Sequence, residues 1–246
     1  MTYKEIALNI SRKLSRLIVP ELRYAQNIYE EILVKHCKTG IAWIDLGCGH
    51  NLLSPWRAEK EKELMERPGL FVGFDYDLLS LQKNNTAANK VRGDMNRLPF
   101  ASNTFDLITS NMVFEHLQEP DIAFKEIYRI LKPGGILIFH TPNSIGYTTV
   151  SARLLPEAIK GKLVEFLQDR EEEDIFPTYF KVNSPDAINM VAGHTGFQVD
   201  VLKLLVSKPQ FIYVPPVVIL ELLYLRLLMT KPFKKLRTNI IAILEK

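Results

Sequence analysis

Two glycines, Gly47 and Gly49, end an apolar run over residues 41–46 in the stretch Trp43-Ile44-Asp45-Leu46-Gly47-Cys48-Gly49-His50-Asn51. A strand that runs into a glycine-rich turn and then a helix lets backbone approach a ligand beyond the strand's carboxyl end. Open α/β sheets build nucleotide-type pockets in this way. A dinucleotide fingerprint would require a third glycine where Leu52 stands, so a nicotinamide or flavin cofactor is disfavoured. The Gly-Lys-Ser/Thr run that cradles a triphosphate is missing as well. Acids recur at comparable places. Asp75 follows the apolar run 70–74, and Asp94 lies in the shorter run 91–95. A carboxylate at the tip of a second strand can accept both hydroxyls of a ribose. Two histidines follow later apolar runs, His116 after residues 105–111 and His140 after residues 136–139. Imidazole at such a place can act as a general base. For each, the competing reading is a ring that only shapes or hydrogen-bonds a pocket.

The elements that must position these residues can be read from the apolar pattern. Strands are expected at 41–46, 70–74, 91–95, 105–111, 136–139, 197–206 and 239–244. Residues 2–18 and 21–36 read as two helices broken at Pro20. A further helix is expected over 52–66, with a charged outer face. Leu131-Lys132-Pro133-Gly134-Gly135 reads as turn chemistry ending a helix before the fifth strand. Ser184-Pro185-Asp186 reads as a helix start that runs to the Gly193–Gly196 region. Residues 144–183 carry weak strand signals, punctuation at Gly146, Pro156, Gly161 and Pro177, and an acidic cluster over 171–174. Residues 217–229 form an apolar run too short to span a bilayer, interrupted by Glu221 and Arg226. Two readings stay open for it: a crossover helix packed on the sheet, or a helix lying on a membrane with Lys231, Lys234, Lys235 and Arg237 beside it.

Several ordered motifs over residues 41–143 carry a family resemblance. The glycine turn, RLPFASNTFDLITSNMVFEHL and RILKPGGILIFHTPN together resemble class I S-adenosylmethionine-dependent methyltransferases, of the small-molecule type 11 kind. The chain departs from the family pattern at Asn51, where a third glycine is usual; Asn tolerates positive φ, so the turn is expected to survive. The resemblance implies an α/β fold: a doubly wound, mostly parallel seven-stranded sheet whose last strand is antiparallel, with N-terminal helices and a lid insertion after the fifth strand. It implies one domain over 1–246, divided into a helical cap (1–40), a cofactor-binding core (41–143), a substrate lid (144–183) and the C-terminal part of the sheet (184–246). By the same resemblance Asp45, Gly47, Cys48, Gly49, Asn51, Asp75, Tyr76 and Asn111 line the donor site, Asp94 takes the adenine amino group, and Met95 lies on the ring. Arg23, Tyr24 and Gln26 sit where an upstream helix could reach the donor's carboxylate; surface and packing roles are the equal alternative. His116 lies near the expected methyl-transfer position, with His140 as second candidate. His50 is read as a neighbour of the turn, and His36 and His194 as surface residues at helix ends.

Composition narrows the partners. Of 246 residues, 47% are hydrophobic and 24% charged, a globular profile. A net charge of +3 is too small to argue for nucleic acid. Ser110-Asn111-Met112-Val113 stands where a nucleobase-amine methylase would carry an Asn-Pro-Pro-Tyr-like motif. Cys37 and Cys48 lack zinc-site spacing, so no metal is expected, and reduced thiols fit a cytoplasmic protein. Lys4, Glu5, Arg12, Lys13 and Arg16 make the start of the chain unlike a secretory leader. The expected activity is methyl transfer to a small-molecule acceptor, a hydroxyl of a saccharide-, lipid- or quinone-type metabolite, with S-adenosylhomocysteine as product. The alternative is a donor-binding protein or partner subunit without catalysis.

Overall fold

The computed structural model describes residues 2–154 and 176–246. Helix α1 (Tyr3–Ile18) starts where Thr2 caps it. The Thr2 hydroxyl accepts the Glu5 N–H, and the Glu5 carboxylate accepts the Thr2 N–H at 2.7 Å, a reciprocal capping box. Helix α2 (Ala25–His36) starts later than expected, after an irregular link over 19–24. Strand β1 (Ala42–Leu46) leads into the glycine turn. Then follow α3 (Ala58–Met65), β2 (Leu70–Asp75), α4 (Leu78–Lys83), β3 (Asn89–Arg92), β4 (Phe105–Asn111), α5 (Pro120–Ile130) and β5 (Leu131–Pro142). The chain continues through α6 (Tyr147–Leu154), α7 (Pro185–Thr195), β6 (Gln198–Leu205), α8 (Pro215–Met229) and β7 (Asn239–Glu245).

The seven strands form one sheet in the order β3-β2-β1-β4-β5-β7-β6. The first five pair in parallel. Strand β7 runs against β5. The Gly134 N–H near the start of β5 bonds the Lys246 carbonyl, and the Asn143 N–H just past its end bonds the Thr238 carbonyl. Strands of such a sheet are covered on both faces and so carry continuous apolar runs rather than alternation. Trp43, Ile44, Leu46, Leu107, Ile108, Leu137, Ile138 and Phe139 are accordingly buried, as are Ile240 to Leu244.

Three expectations are corrected. The turn at 132–135 does not precede β5 but is looped out within it: Phe105 pairs with Leu131 and Leu107 with Ile136. Gly134, at φ +74°, makes the excursion feasible. The helix expected from residue 52 starts at Ala58, because buried Leu53 gives its N–H to Glu61 Oε2 and a short 3₁₀ turn, Pro55–Arg57, intervenes. Strand β3 ends at Arg92, which leaves Asp94 and Met95 on the following turn.

The described residues divide into two compact units. One comprises Met1–Asn27, Pro142–Pro177 and Leu204–Asn239; the other comprises Ile28–Thr141, Thr178–Lys203 and Ile240–Lys246. In the first, α1 packs on α8 around Val19, Val206, Val218, Leu222, Leu225 and Leu228. The helix over 215–229 thus packs on α1. In the second, α5 packs on α7 beside the sheet. Most of the expected lid, residues 155–175 including the 171–174 acids, lies outside the described residues.

Candidate active site

Parallel pairing brings the carboxyl ends of β1 to β5 to one edge of the sheet. The winding reverses between β1 and β4. Ligands of open α/β sheets sit outside such a point.

The glycine turn lies at this edge, at the end of β1. Gly47 and Gly49 have φ +71° and +50°, conformations that L side chains resist. The Gly47 and Cys48 N–H groups both donate to the Phe74 carbonyl, at 2.7 and 3.1 Å. The Gly49 N–H donates to Asp75 Oδ2 at 2.8 Å, and the Asp77 N–H to Asp75 Oδ1 at 2.9 Å. The two glycines do different work. A Cβ on Gly47 would collide with the Val113 side chain, whereas a Cβ on Gly49 would have nothing within 4 Å. Gly47 thus allows close packing, and Gly49 opens the turn toward free space. Asn51 is exposed and keeps negative φ, so the departure from a third glycine costs the turn nothing.

Asp75 is half-buried at the tip of β2, and its carboxylate is oriented by two backbone donors. A carboxylate has about four acceptor positions, so two stay available to ligand hydroxyls. Buried Asn84 fixes the turn from below. Its Nδ2 donates to the Gly49 and Cys48 carbonyls at 2.9 and 3.3 Å, while its Oδ1 accepts the Thr86 and Ala87 N–H groups. The Cys48 thiol is buried, and burial, with the Asp45 and Asp75 charges, pushes its pKa far up. Its contribution is backbone and packing rather than thiolate chemistry.

Asp45 lies under the turn, fully enclosed. Trp43 Nε1 donates to Thr109 Oγ1 at 2.7 Å, and the Thr109 hydroxyl donates to Asp45 Oδ1 at 2.5 Å. Burial raises the Asp45 pKa to about 7. The Thr109 bond opposes that shift, and the Asp75 and Glu61 charges reinforce it. The Tyr29 phenol, also enclosed, is pushed up by burial and then by Asp45. A raised carboxyl pKa means that the folded chain holds a proton the unfolded chain releases between about pH 4 and 7. Stability from this group therefore falls as pH rises through that window and levels off above it. Asp77, Asp106 and Glu126, with lowered pKa values, act in the opposite sense: their contribution is lost on acidification. A comparison of wild type with Asp45→Asn isolates the first effect. The stability advantage of wild type over the variant should shrink from pH 5 to pH 8 by on the order of a few kcal/mol. Denaturant melts across that range measure it, and a pH-independent difference would show that Asp45 titrates normally.

Around the turn, Asp94 is exposed and its Oδ1 accepts the Asn96 N–H at 2.9 Å. Met95 is half-buried, and Tyr76 presents an exposed ring. The Asn96 Oδ1 is a buried acceptor without a hydrogen-bond partner among the described residues.

At the ends of β4 and β5, Asn111 Oδ1 lies 2.8 Å from Nδ1 of buried His140, and the His140 ring packs on Tyr29 with centroids 5.7 Å apart. In neutral His140 that bond keeps the proton on Nδ1 and the lone pair on Nε2. Met112 adopts φ +58°, and its N–H bonds the His140 carbonyl at 2.7 Å. The chain then enters a 3₁₀ turn, Phe114–His116, that leaves His116 half-buried. The Glu115 carbonyl accepts the Tyr179 and Phe180 N–H groups. Its buried carboxylate accepts the Thr141 hydroxyl at 3.1 Å, and Asn183 donates to that hydroxyl at 2.6 Å. Residues 179–183 are thereby tied to the turn that carries His116.

Hydrogen bonds thus bring together Gly47, Cys48, Gly49 and Asp75 by way of Phe74 and Asn84, hold Asp45 to Thr109, and separately join Asn111 with His140. Arg23 and Tyr24 lie in the link between α1 and α2, in the other unit. Half-burial raises the Tyr24 phenol, with Arg12 opposing. Sequence reasoning missed Asn84, Thr109 and the Glu115-Thr141-Asn183 cluster. Thr109 offered a signal, a hydroxyl in the middle of an apolar strand. Among the described residues no group of His, Cys, Asp and Glu could hold a metal ion, and no helix is long and apolar enough to cross a membrane.

Residues 44–139 match a family model described as a methyltransferase domain. A demethylmenaquinone methyltransferase of Lactiplantibacillus plantarum is 34% identical over 112 residues, 42% of this chain and 46% of that protein. A malonyl-(acyl-carrier protein) O-methyltransferase of Buchnera aphidicola is 31% identical over 121 residues, 47% of this chain and 46% of that protein. The chain spans about half the length of these curated relatives. An S-adenosylmethionine-dependent methyltransferase structure from Mesorhizobium loti superposes with a TM-score of 0.56 at 16% identity, over 89% of this chain and 98% of that one. The cyclase SpnF superposes with a TM-score of 0.55 at 14% identity, over 100% of this chain and 97% of that one. These superpositions show the fold and leave activity to the site. Sheet order, glycine turn and the match over 44–139 agree: residues 44–139 are similar to a methyltransferase domain, on the Rossmann-like fold of S-adenosylmethionine-dependent methyltransferases.

Proposed function

We propose that the protein transfers a methyl group from S-adenosylmethionine to a small-molecule hydroxyl, on an acceptor of saccharide, lipid or quinone type. The observation that carries this reading is the Gly49–Asp75 pair: an open glycine turn whose N–H orients a strand-tip carboxylate at the point where the sheet's winding reverses. In this reading Asp75 accepts the ribose hydroxyls, and Asp94 and Met95 hold the adenine. Tyr76 and Asn51 border the opening, and Asp45 and Asn111 set its polarity from beneath. The bound donor supplies a methyl group already activated on a sulfonium centre. The chain's task is then to orient donor and acceptor, exclude water and receive the hydroxyl proton. His116 takes that proton on a ring nitrogen. His140, held by Asn111, is the second candidate.

The names of two relatives support parts of this reading: a demethylmenaquinone methyltransferase supports a quinone-type acceptor, and a malonyl-(acyl-carrier protein) O-methyltransferase supports transfer to oxygen. The competing reading is donor binding without catalysis. Labelled donor separates the two. Label appearing in a hydroxylated acceptor from a saccharide, quinol and lipid panel is the expected result. Tight donor binding with no label transferred to any of them favours the competing reading.

A further inference from the structure

The helical unit carries a surface that donor binding does not use. On α1 the side chains of Tyr3, Ile6, Ile10 and Leu17 are exposed, Leu17 at 79%. Their spacing puts them on one face. On α8 the outward row is Leu220, Leu223 and Leu227, at 69, 50 and 42% exposure. The two helices pack on each other by their inner faces, around Val218, Leu222 and Leu225. Glu221, the one acid of α8, is turned inward: it accepts the Tyr147 hydroxyl at 2.5 Å and the Gln210 and Phe211 N–H groups. The outer face therefore carries no negative charge.

Basic residues border both rows. Helix α1 has four, Lys4, Arg12, Lys13 and Arg16, against one acid, Glu5. Residues 215–237 have five, of which Arg226, Lys231, Lys234 and Lys235 are exposed, Arg237 gives its guanidinium to the Leu204, Leu228 and Met229 carbonyls, and the one acid, Glu221, is buried. The whole chain has 31 basic and 28 acidic residues, so its positive excess is concentrated here.

We propose that the outer face of α8, with Lys231, Lys234 and Lys235, docks the protein on an anionic lipid bilayer. Exposed apolar residues gathered on one helix face, rimmed by charged residues, mark interaction surfaces. An apolar face bordered by Lys and Arg matches the boundary between acyl chains and anionic headgroups, into which such a helix sinks about 5–10 Å. A second copy is the poorer occupant, because a two-fold contact sets each basic border against a like one. The inference does not rest on the methyl-transfer reading, since its readout is partition.

Flotation of the full chain with vesicles of phosphatidylcholine, with and without phosphatidylglycerol, tests it. Protein should float with the anionic vesicles, less so at high salt, and far less with phosphatidylcholine alone. Each basic residue near the surface contributes roughly fivefold, so K231E/K234E/K235E should lower partition by about a hundredfold or more. L220D/L223D should lose partition while keeping donor binding. If that variant fails to fold, the lysine variant decides, because its three side chains are all exposed. Absence of binding to anionic vesicles overturns the proposal, and so does unchanged partition of the lysine variant. A wild-type dimer that Leu220→Asp dissociates would overturn it too, by assigning the face to a second copy.

Discussion

Replacing His116 by alanine is expected to lower turnover on a hydroxyl acceptor by about a hundredfold or more, the usual cost of removing a general base, and to change donor affinity little. The half-buried ring sits on the 3₁₀ turn after β4, where the Glu115 carbonyl and carboxylate anchor the backbone through Tyr179, Phe180 and Thr141. Those anchors do not involve the imidazole, so the turn should persist in the variant. Wild-type turnover should rise as the imidazole loses its proton with increasing pH, and the variant should lose that dependence. Steady-state rates across pH, with donor binding measured in parallel, make the comparison. An unchanged rate and profile would reduce His116 to pocket shape and leave His140, with its lone pair on Nε2, as the next base.

Asp75→Ala should weaken donor binding by about 1.5–3 kcal/mol, roughly ten- to a hundredfold, the scale of hydrogen bonds to a charged group. From sequence alone, a strand-tip acid facing a pocket would leave the fold untouched when removed. The hydrogen bonds revise that view. Asp75 also accepts the Gly49 and Asp77 N–H groups, so the variant frees two backbone donors and should melt earlier. Asp75→Asn retains an acceptor oxygen and should recover part of the stability but less of the affinity. Calorimetry and thermal melts on both variants separate ligand contact from turn support. Wild-type affinity in Asp75→Ala would mean that Asp75 does not take the ribose.

The parts legible in the sequence were those written in contiguous residues. The apolar runs at 41–46, 70–74, 105–111 and 239–244 each became a strand within a residue or so, because a doubly covered sheet demands unbroken burial. Gly47 and Gly49 were legible because positive φ selects glycine. Side-chain bonds between distant positions were not legible. Thr109 reaches Asp45 across 64 residues, and Asn84 reaches the Gly49 carbonyl across 35. No local pattern encodes such pairs. Pro133-Gly134-Gly135 encodes a reversal but not its place, since a loop within a strand uses the same residues as a turn before it. The charges in 217–229 were read as interruptions of an apolar helix. Only the direction of Glu221, inward to Tyr147, shows that the outer face stays apolar.

The central claim is that the glycine turn holds a sulfonium nucleoside rather than a dinucleotide, and the most direct measurement is isothermal calorimetry of the purified chain with S-adenosylmethionine, S-adenosylhomocysteine and NAD. Both adenosyl compounds should bind with micromolar-range affinity, worth about 8 kcal/mol, and NAD should give no heat. Binding of NAD with no heat from either adenosyl compound would contradict the account.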